Sequence, residues 1–368
     1  MAPQVQPKPS KELSTSWRKY NGSFMNKRHS SAPPPIHALL CTATATTATH
    51  RRRGRPLTFP SPKFAPAVKV VENEGFMLIS RASGRRWLIM NSSRECQFGE
   101  VLRAVELEED SAAPVVYFAI KELSLDKMRQ MAGNTHENPL QEVAALQYLS
   151  SEGGHPNVLT CTEALFDEEN LYIVTPFYSG GEVFDAVVAR GWLEEGEARP
   201  IFRQMLDGLL YLKSHGVCHR DVSLENFMFA ENNVVKLVDF GLALRIPQRA
   251  DGSARVLSPQ GQCGKQYYMS PEVLMCTSEL DGFAVDIWAC GILLFIMLTG
   301  VPPFEVALPL EDKRCHIVAV QEELGDLMSA WNLSLSPEVT NLIQSCLLFD
   351  RERRISLEKL RSHPWVNA

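Results

Sequence analysis

Two acidic residues, Asp221 and Asp239, stand in settings suited to chemistry. In His219-Arg220-Asp221-Val222-Ser223-Leu224-Glu225-Asn226 a carboxylate and an amide lie five residues apart, in a polar loop between a helical stretch and a strand. Asp221 can accept a hydroxyl proton and orient the nucleophile, and the amide oxygen of Asn226 suits a hard cation. Thirteen residues later Asp239-Phe240-Gly241 follows directly on the apolar stretch 234–238. A carboxylate at a strand end, freed to turn by Gly241, suits Mg²⁺ carried by the phosphates of ATP.

Strand-like runs occur at 87–90, 115–120, 171–174 and 234–238, and apolar residues at helical spacing over 140–149 predict a helix facing a core. From Glu197 onward the pattern is mostly helical. A strand-rich first part and a helix-rich second part predict an α+β protein of two lobes, without internal repeats. The apolar stretch 287–304 follows Asp286 and is interrupted by Gly291, Gly300, Pro302 and Pro303, which predicts a buried helix and no membrane span.

The chain has 368 residues, 45% hydrophobic and 22% charged, an ordinary soluble composition. Its nine cysteines show no CxxC or metal-ligand spacing, which favours a reducing compartment over disulfides or zinc. Residues 1–70 hold 12 Lys or Arg against Glu12 alone, a balance of +11, so the remainder carries −17 to reach the net −6. Residues 1–75, rich in Ser, Thr, Pro and Ala, are expected to form a disordered basic arm before a domain at 76–366. Its absence of an apolar opening argues against a secretory signal.

The segments around Asp221 and Asp239 resemble the catalytic loop and metal-binding motif of eukaryotic-type protein kinases. Other kinase landmarks follow in order. Phe118-Ala119-Ile120-Lys121 resembles the segment with the ATP-binding lysine, and Glu142 would be its ion-pair partner. Thr175 takes the gatekeeper position, with the backbones of Pro176 and Tyr178 bonding adenine. Ser270-Pro271-Glu272 resembles the end of the activation segment, Glu272 pairing with Arg354, and Asp286 would anchor the catalytic loop. His363-Pro364-Trp365 is most common in the calcium/calmodulin-dependent-kinase-like group. The resemblance implies a small β-rich lobe with one regulatory helix (76–176), a larger helical lobe (177–366) and Mg·ATP between them. It implies Ser/Thr phosphorylation, with Asp221 as base and Mg²⁺ on Asn226 and Asp239. Arg94, Phe98, Gly99, Val101, Ala119 and Glu182 would join Lys121 and the hinge around the nucleotide. A pseudokinase scaffold is the alternative.

Three departures bear on activity. The phosphate-covering loop reads Arg94-Glu95-Cys96-Gln97-Phe98-Gly99-Glu100-Val101 and keeps only the last of three glycines, which predicts weaker ATP binding. Arg94 is a candidate substitute phosphate contact, or else a solvated loop charge. Ser223 stands where Ser/Thr kinases usually carry lysine, and Lys265, after Cys263-Gly264, stands where they usually carry threonine. An ammonium and a hydroxyl have changed places, so Lys265 is expected to supply the charge beside the γ-phosphate; drift in an impaired enzyme is the other reading.

Arg220 before Asp221 goes in this family with a phosphate on the activation segment. The usual acceptor position holds Gly261, leaving Ser258, before Pro259, and then Ser253. Three residues follow Trp365, so no C-terminal calmodulin-binding helix is expected. Glu182 and Glu225 suggest protein substrates with an upstream Arg, although Ile296 replaces a further acidic position. Arg51-Arg52-Arg53-Gly54-Arg55-Pro56 resembles an AT-hook core for nucleic acid, reads equally as a nuclear-localisation patch, and is otherwise a solvated linker. The arm's composition also resembles a transit peptide, but its length and prolines favour cytoplasm or nucleus.

Overall fold

The computed structural model describes residues 55–72, 75–107, 115–133, 135–247, 256–258 and 260–368. Seven strands form its first part: β1 (Ala65–Glu72), β2 (Gly75–Ser80), β3 (Arg86–Cys96), β4 (Gly99–Glu106), β5 (Tyr117–Ser124), β6 (Glu163–Phe166) and β7 (Asn170–Pro176). Their order is β1-β2-β3-β4-β5-β7-β6, and β1 closes the sheet into a barrel by pairing in parallel with β6 at Ala65–Leu165 and Pro66–Phe166. Alternate residues point inward as the two-residue period of a strand requires. Leu102 and Ala104 of β4, Phe118 and Ile120 of β5, and Trp87, Leu78 and Tyr172 fill the interior.

Residues 55–72, within the stretch expected as the arm, are among the described residues. Residues 65–72 form a barrel strand whose Ala67 joins the buried cluster, driven by the β-branched Val68, Val70 and Val71. Of the Arg51–Pro56 patch only Arg55 and Pro56 are among the described residues, and Ser253 and Pro259 lie outside them.

Two helices pack outside the barrel. Helix α1 (Leu125–Met131) starts at Ser124, whose hydroxyl accepts from Lys127 N. Helix α2 (Pro139–Ser151) starts at Asn138, whose side chain accepts from Leu140 N and Gln141 N, and Pro139 has no N–H to leave unpaired. The expected helix over 140–149 is this one.

The second part holds α3 (Val183–Arg190), α4 (Glu195–Ser214), α5 (Pro271–Leu274), α6 (Gly282–Thr299), α7 (Leu324–Ala330), α8 (Pro337–Cys346), α9 (Leu357–Arg361) and α10 (Pro364–Asn367). Helix α6 is apolar enough to cross a bilayer, but every residue in it except Phe283 is buried in this part's core. It ends at Gly300 (φ 77°), where a Cβ would lie 1.9 Å from the Gly191 carbonyl oxygen. Two small antiparallel ribbons, β8 (Val217–Cys218) with β11 (Leu244–Arg245) and β9 (Phe227–Phe229) with β10 (Val235–Leu237), frame the loops that carry Asp221 and Asp239.

Candidate active site

Asp221 follows β8, in a loop whose backbone is fixed from beneath. The buried Asp286 of α6 accepts from His219 N (2.8 Å) and Arg220 N (2.7 Å), although Arg220 holds φ 67°. Burial pushes the Asp286 carboxyl up to about 7, against those two bonds. The amide nitrogen of Asn226 donates to the Asp221 carbonyl (2.8 Å) and to its Oδ2 (2.7 Å). That spends the nitrogen and leaves the amide oxygen as the acceptor for a cation.

Asp239 sits past β10 at φ 62°, a left-handed conformation that asparagine and aspartate tolerate better than most residues. Gly241 N donates to its Oδ1 at 3.2 Å. Burial works to raise the Asp239 pKa, but the Lys121 charge and the Gly241 N–H outweigh it and hold the carboxyl below its usual range. Across the cleft Lys121 Nζ of β5 meets Glu142 Oε2 of α2 at 2.7 Å. Burial opposes the Lys121 charge, yet Glu142 and then Asp239 more than offset it, so its pKa is raised and the ammonium persists.

Lys265 reaches the catalytic loop from the activation segment. Its Nζ donates to Asp221 Oδ2 (2.9 Å) and Ser223 Oγ (3.0 Å), and its backbone N donates to Asp221 Oδ1 (3.0 Å). Gly264 (φ 93°) permits the approach, since a Cβ there would stand 2.9 Å from the Arg220 carbonyl oxygen. Burial disfavours the Lys265 charge, but Asp221 and Glu225 prevail and raise its pKa.

The cover of the cleft is arranged differently from expectation. Phe98, expected at the nucleotide, is 4% exposed and belongs to the hydrophobic core. The hairpin turn is only Gln97 and Phe98, and Ser124 N donates to the Phe98 carbonyl at 3.0 Å, which carries the ring inward. Gly99 is indispensable, because a Cβ would fall 1.9 Å from the Glu122 carbonyl oxygen. Arg94 forms an ion pair with Glu182, so these two expected nucleotide contacts engage each other across the cleft mouth. Val101 lies opposite Lys121 on β4, and Thr175 Oγ1 donates to the Ala119 carbonyl at 3.3 Å. Pro176 ends β7, and Tyr178 is half-buried against the core.

Glu272 and Arg354 meet as expected, Nη1 to Oε1 at 2.6 Å and Nη2 to Oε2 at 2.8 Å, both buried. Arg220, expected to take a phosphate, donates instead to Cys263 Sγ and the Leu242 carbonyl. Sequence reasoning missed three residues before and on α2. Gln141 Nε2 donates to the Ala243 carbonyl, and the His136 ring lies 2.5 Å from where a Cβ on Gly261 would stand. Glu137 has its carboxyl pushed up to about 7 by burial, then by the charge of Asp239. Only the Asn138-Pro139 helix start could have pointed to this loop.

An ion-paired lysine, two carboxylates and a free amide oxygen in one cleft, with the lysine's helix partner buried, is the constellation that kinases use. Residues 95–366 match the protein kinase domain family. The chain belongs to the protein kinases. It is 33% identical over 337 residues to CBL-interacting protein kinase 21 of Oryza sativa subsp. japonica, covering 90% of this kinase and 56% of that protein. It is 34% identical over 214 residues to the serine/threonine-protein kinase SAPK9 of the same organism, covering 57% and 56%. With calcium-dependent protein kinase 29 of Arabidopsis thaliana it shares 32% over 246 residues, covering 66% and 43%. The chain thus spans about half the length of the curated relatives it matches, and its kinase domain is of the serine/threonine type with the two-lobed fold.

Proposed function

We propose that the chain is a working kinase that transfers the γ-phosphoryl group of Mg·ATP to Ser or Thr of protein substrates. The observation that carries this reading is the joined geometry of Lys121, Glu142 and Asp239, with Asp221 and Asn226 bonded beside them. A scaffold without turnover has no use for a cleft lysine kept charged by two carboxylates. The residues also fit the nucleotide's metal. Among the described residues no group of three or more His, Cys, Asp or Glu is placed to hold an ion alone. Asp239 and the Asn226 amide oxygen therefore make a partial set that phosphate oxygens complete, the habit of Mg²⁺.

Bound Mg·ATP supplies the electrophilic γ-phosphorus and its leaving group. Asp221 accepts the proton of the attacking hydroxyl and orients it. Lys121, steadied by Glu142, would hold the α- and β-phosphates. Lys265 would neutralise charge gathering on the transferred group, the task of the lysine that Ser223 replaces. Ser223 Oγ, 3.0 Å away, keeps that ammonium over Asp221.

Basic substrates remain the favoured class. Glu225 is buried and its Oε2, without a hydrogen-bond partner, is shielded from solvent, so an upstream Arg engages it only where substrate binding opens the site. Glu182 is engaged by Arg94, so a substrate Arg reaches it only by displacing that pair. The test is radiolabelled transfer from Mg·ATP to a basic Ser/Thr peptide library, with Asp239→Asn protein as the blank. Label above the blank is expected, strongest on peptides with an upstream Arg. Silence from folded protein, with Ser258→Glu also silent, would make the chain a pseudokinase.

A further inference from the structure

Residues 55–64 precede the barrel and lie outside the residues matched to the kinase family. They run along two elements that set the active site. Leu57 bridges to Arg245, its N–H donating to the Arg245 carbonyl at 2.8 Å. Arg245 is six residues beyond Asp239, in β11. Its Nη1 returns to the Thr58 carbonyl at 3.0 Å, and its guanidinium lies over the Tyr148 ring of α2, 4.4 Å from the centroid. Phe59 packs on the same ring from the N-terminal segment, centroids 5.9 Å apart. One residue earlier on α2, Gln147 Oε1 accepts from Lys63 N (2.8 Å) and Gln147 Nε2 donates back to the Lys63 carbonyl (2.7 Å). The segment then enters β1 and is tied to β6.

Three structures thus converge on Tyr148: the segment through Phe59, the strand after Asp239 through Arg245, and α2 itself. Tyr148 is six residues from Glu142, about 9 Å along the helix axis at the usual rise. Tilt or withdrawal of α2 carries Glu142 away from Lys121, and α2 moves independently of β11 unless something joins them. Gln141 to the Ala243 carbonyl joins them near the cleft. At the far end the Arg245 guanidinium meets Tyr148 directly, Tyr148 and Leu149 are tied to His215 and Tyr211, and the segment clasps both α2 and Arg245 around that contact.

We propose that residues 57–63 are a positioning strap for phosphoryl transfer, holding α2 and the strand after Asp239 as one unit so that the Lys121–Glu142 pair and Asp239 keep their alignment. The contacts are two clasps through main-chain groups of the segment and one half-exposed, tilted aromatic contact. Their loss shifts the position of α2 without emptying the core. The catalytic consequence rests on the kinase activity proposed above; the hold on α2 does not.

The test uses the full chain carrying Leu57→Pro, which deletes the N–H that Arg245 accepts, together with Phe59→Ala. Three quantities are measured: kcat at saturating Mg·ATP and peptide, KM for the peptide, and amide hydrogen exchange along α2. The strap requires about a ten-fold fall in kcat, an unchanged peptide KM, and exchange at least about ten-fold faster in α2 with the barrel amides unchanged. Phe59→Leu with Leu57 intact, which keeps an apolar side chain against Tyr148, is expected to retain most of the kcat. Unchanged exchange in α2 overturns the proposal. So does faster exchange spread evenly over barrel and α2, which would make the segment general support for the fold. If the wild type itself proves silent, the exchange pattern still decides on the strap, while the silence counts only against the activity.

Discussion

The floor and the cover of the nucleotide cleft follow different rules. On the floor, Asp221, Asn226 and Asp239 are each engaged by backbone or amide hydrogen bonds. In the cover, the β3–β4 hairpin retains one of three glycines, sends Phe98 into the core and commits Arg94 to Glu182. In the proposed reaction the floor carries proton transfer and metal binding, whose geometry has little latitude, and the cover adjusts how long the nucleotide stays. Between them, the Lys265 ammonium lies 3.0 Å from the Ser223 hydroxyl, and the proposed exchange of a charge between two loops rests on that contact.

The sharpest way to break this contrast is on the floor. Asp221→Asn is expected to lower kcat by about 10²–10⁴ with nucleotide affinity retained, read by steady-state transfer and nucleotide titration. A cover variant with an equal loss of kcat would erase the distinction. Next in size is Glu142→Gln. It leaves Lys121 without its closest carboxylate, and the lysine is partly exposed, so the loss is about 1–3 kcal/mol of stability and about ten-fold or more in kcat/KM. Thermal melting and initial rates check it together.

The cover is sharpened by restoring what it lacks. Arg94→Gly with Cys96→Gly frees backbone N–H groups to approach phosphate and is expected to lower the ATP KM by about five-fold with kcat unchanged. The smallest expected effect is electrostatic. The Glu137 carboxyl titrates near 7 in the fold, above its ordinary value, so the native state holds the proton more tightly than the unfolded chain. Stability from this group is complete below its unfolded pKa and is lost as pH rises to about 7. Glu137→Gln should therefore melt higher than wild type at pH 8 and not at pH 4, which a pair of melting curves checks.

What was legible in the sequence was what depends on short spacing. Asp221 to Asn226 and Asp239 to Gly241 are local, and helix α2 announces itself through Asn138-Pro139 and its apolar positions. The strap and β1 were not legible. Pro56, Pro60, Pro62 and Pro66, with Ser and Thr between them, have the composition of an arm, and the segment is held by main-chain bonds at Leu57 and Lys63 that leave no mark on side-chain pattern. Phe98 misled because its identity suits the loop's usual role, whereas a two-residue turn determines where its ring goes. The Arg94–Glu182 pair joins residues 88 apart in sequence and had no local signal.

The most direct measurement compares turnover of wild type, Lys265→Thr and Lys265→Thr with Ser223→Lys, against Asp239→Asn as the blank. If Lys265 supplies the charge beside the transferred phosphate, the single variant loses about 10²–10³ in kcat and the double variant regains most of it. A Lys265→Thr protein turning over at the wild-type rate would contradict the account.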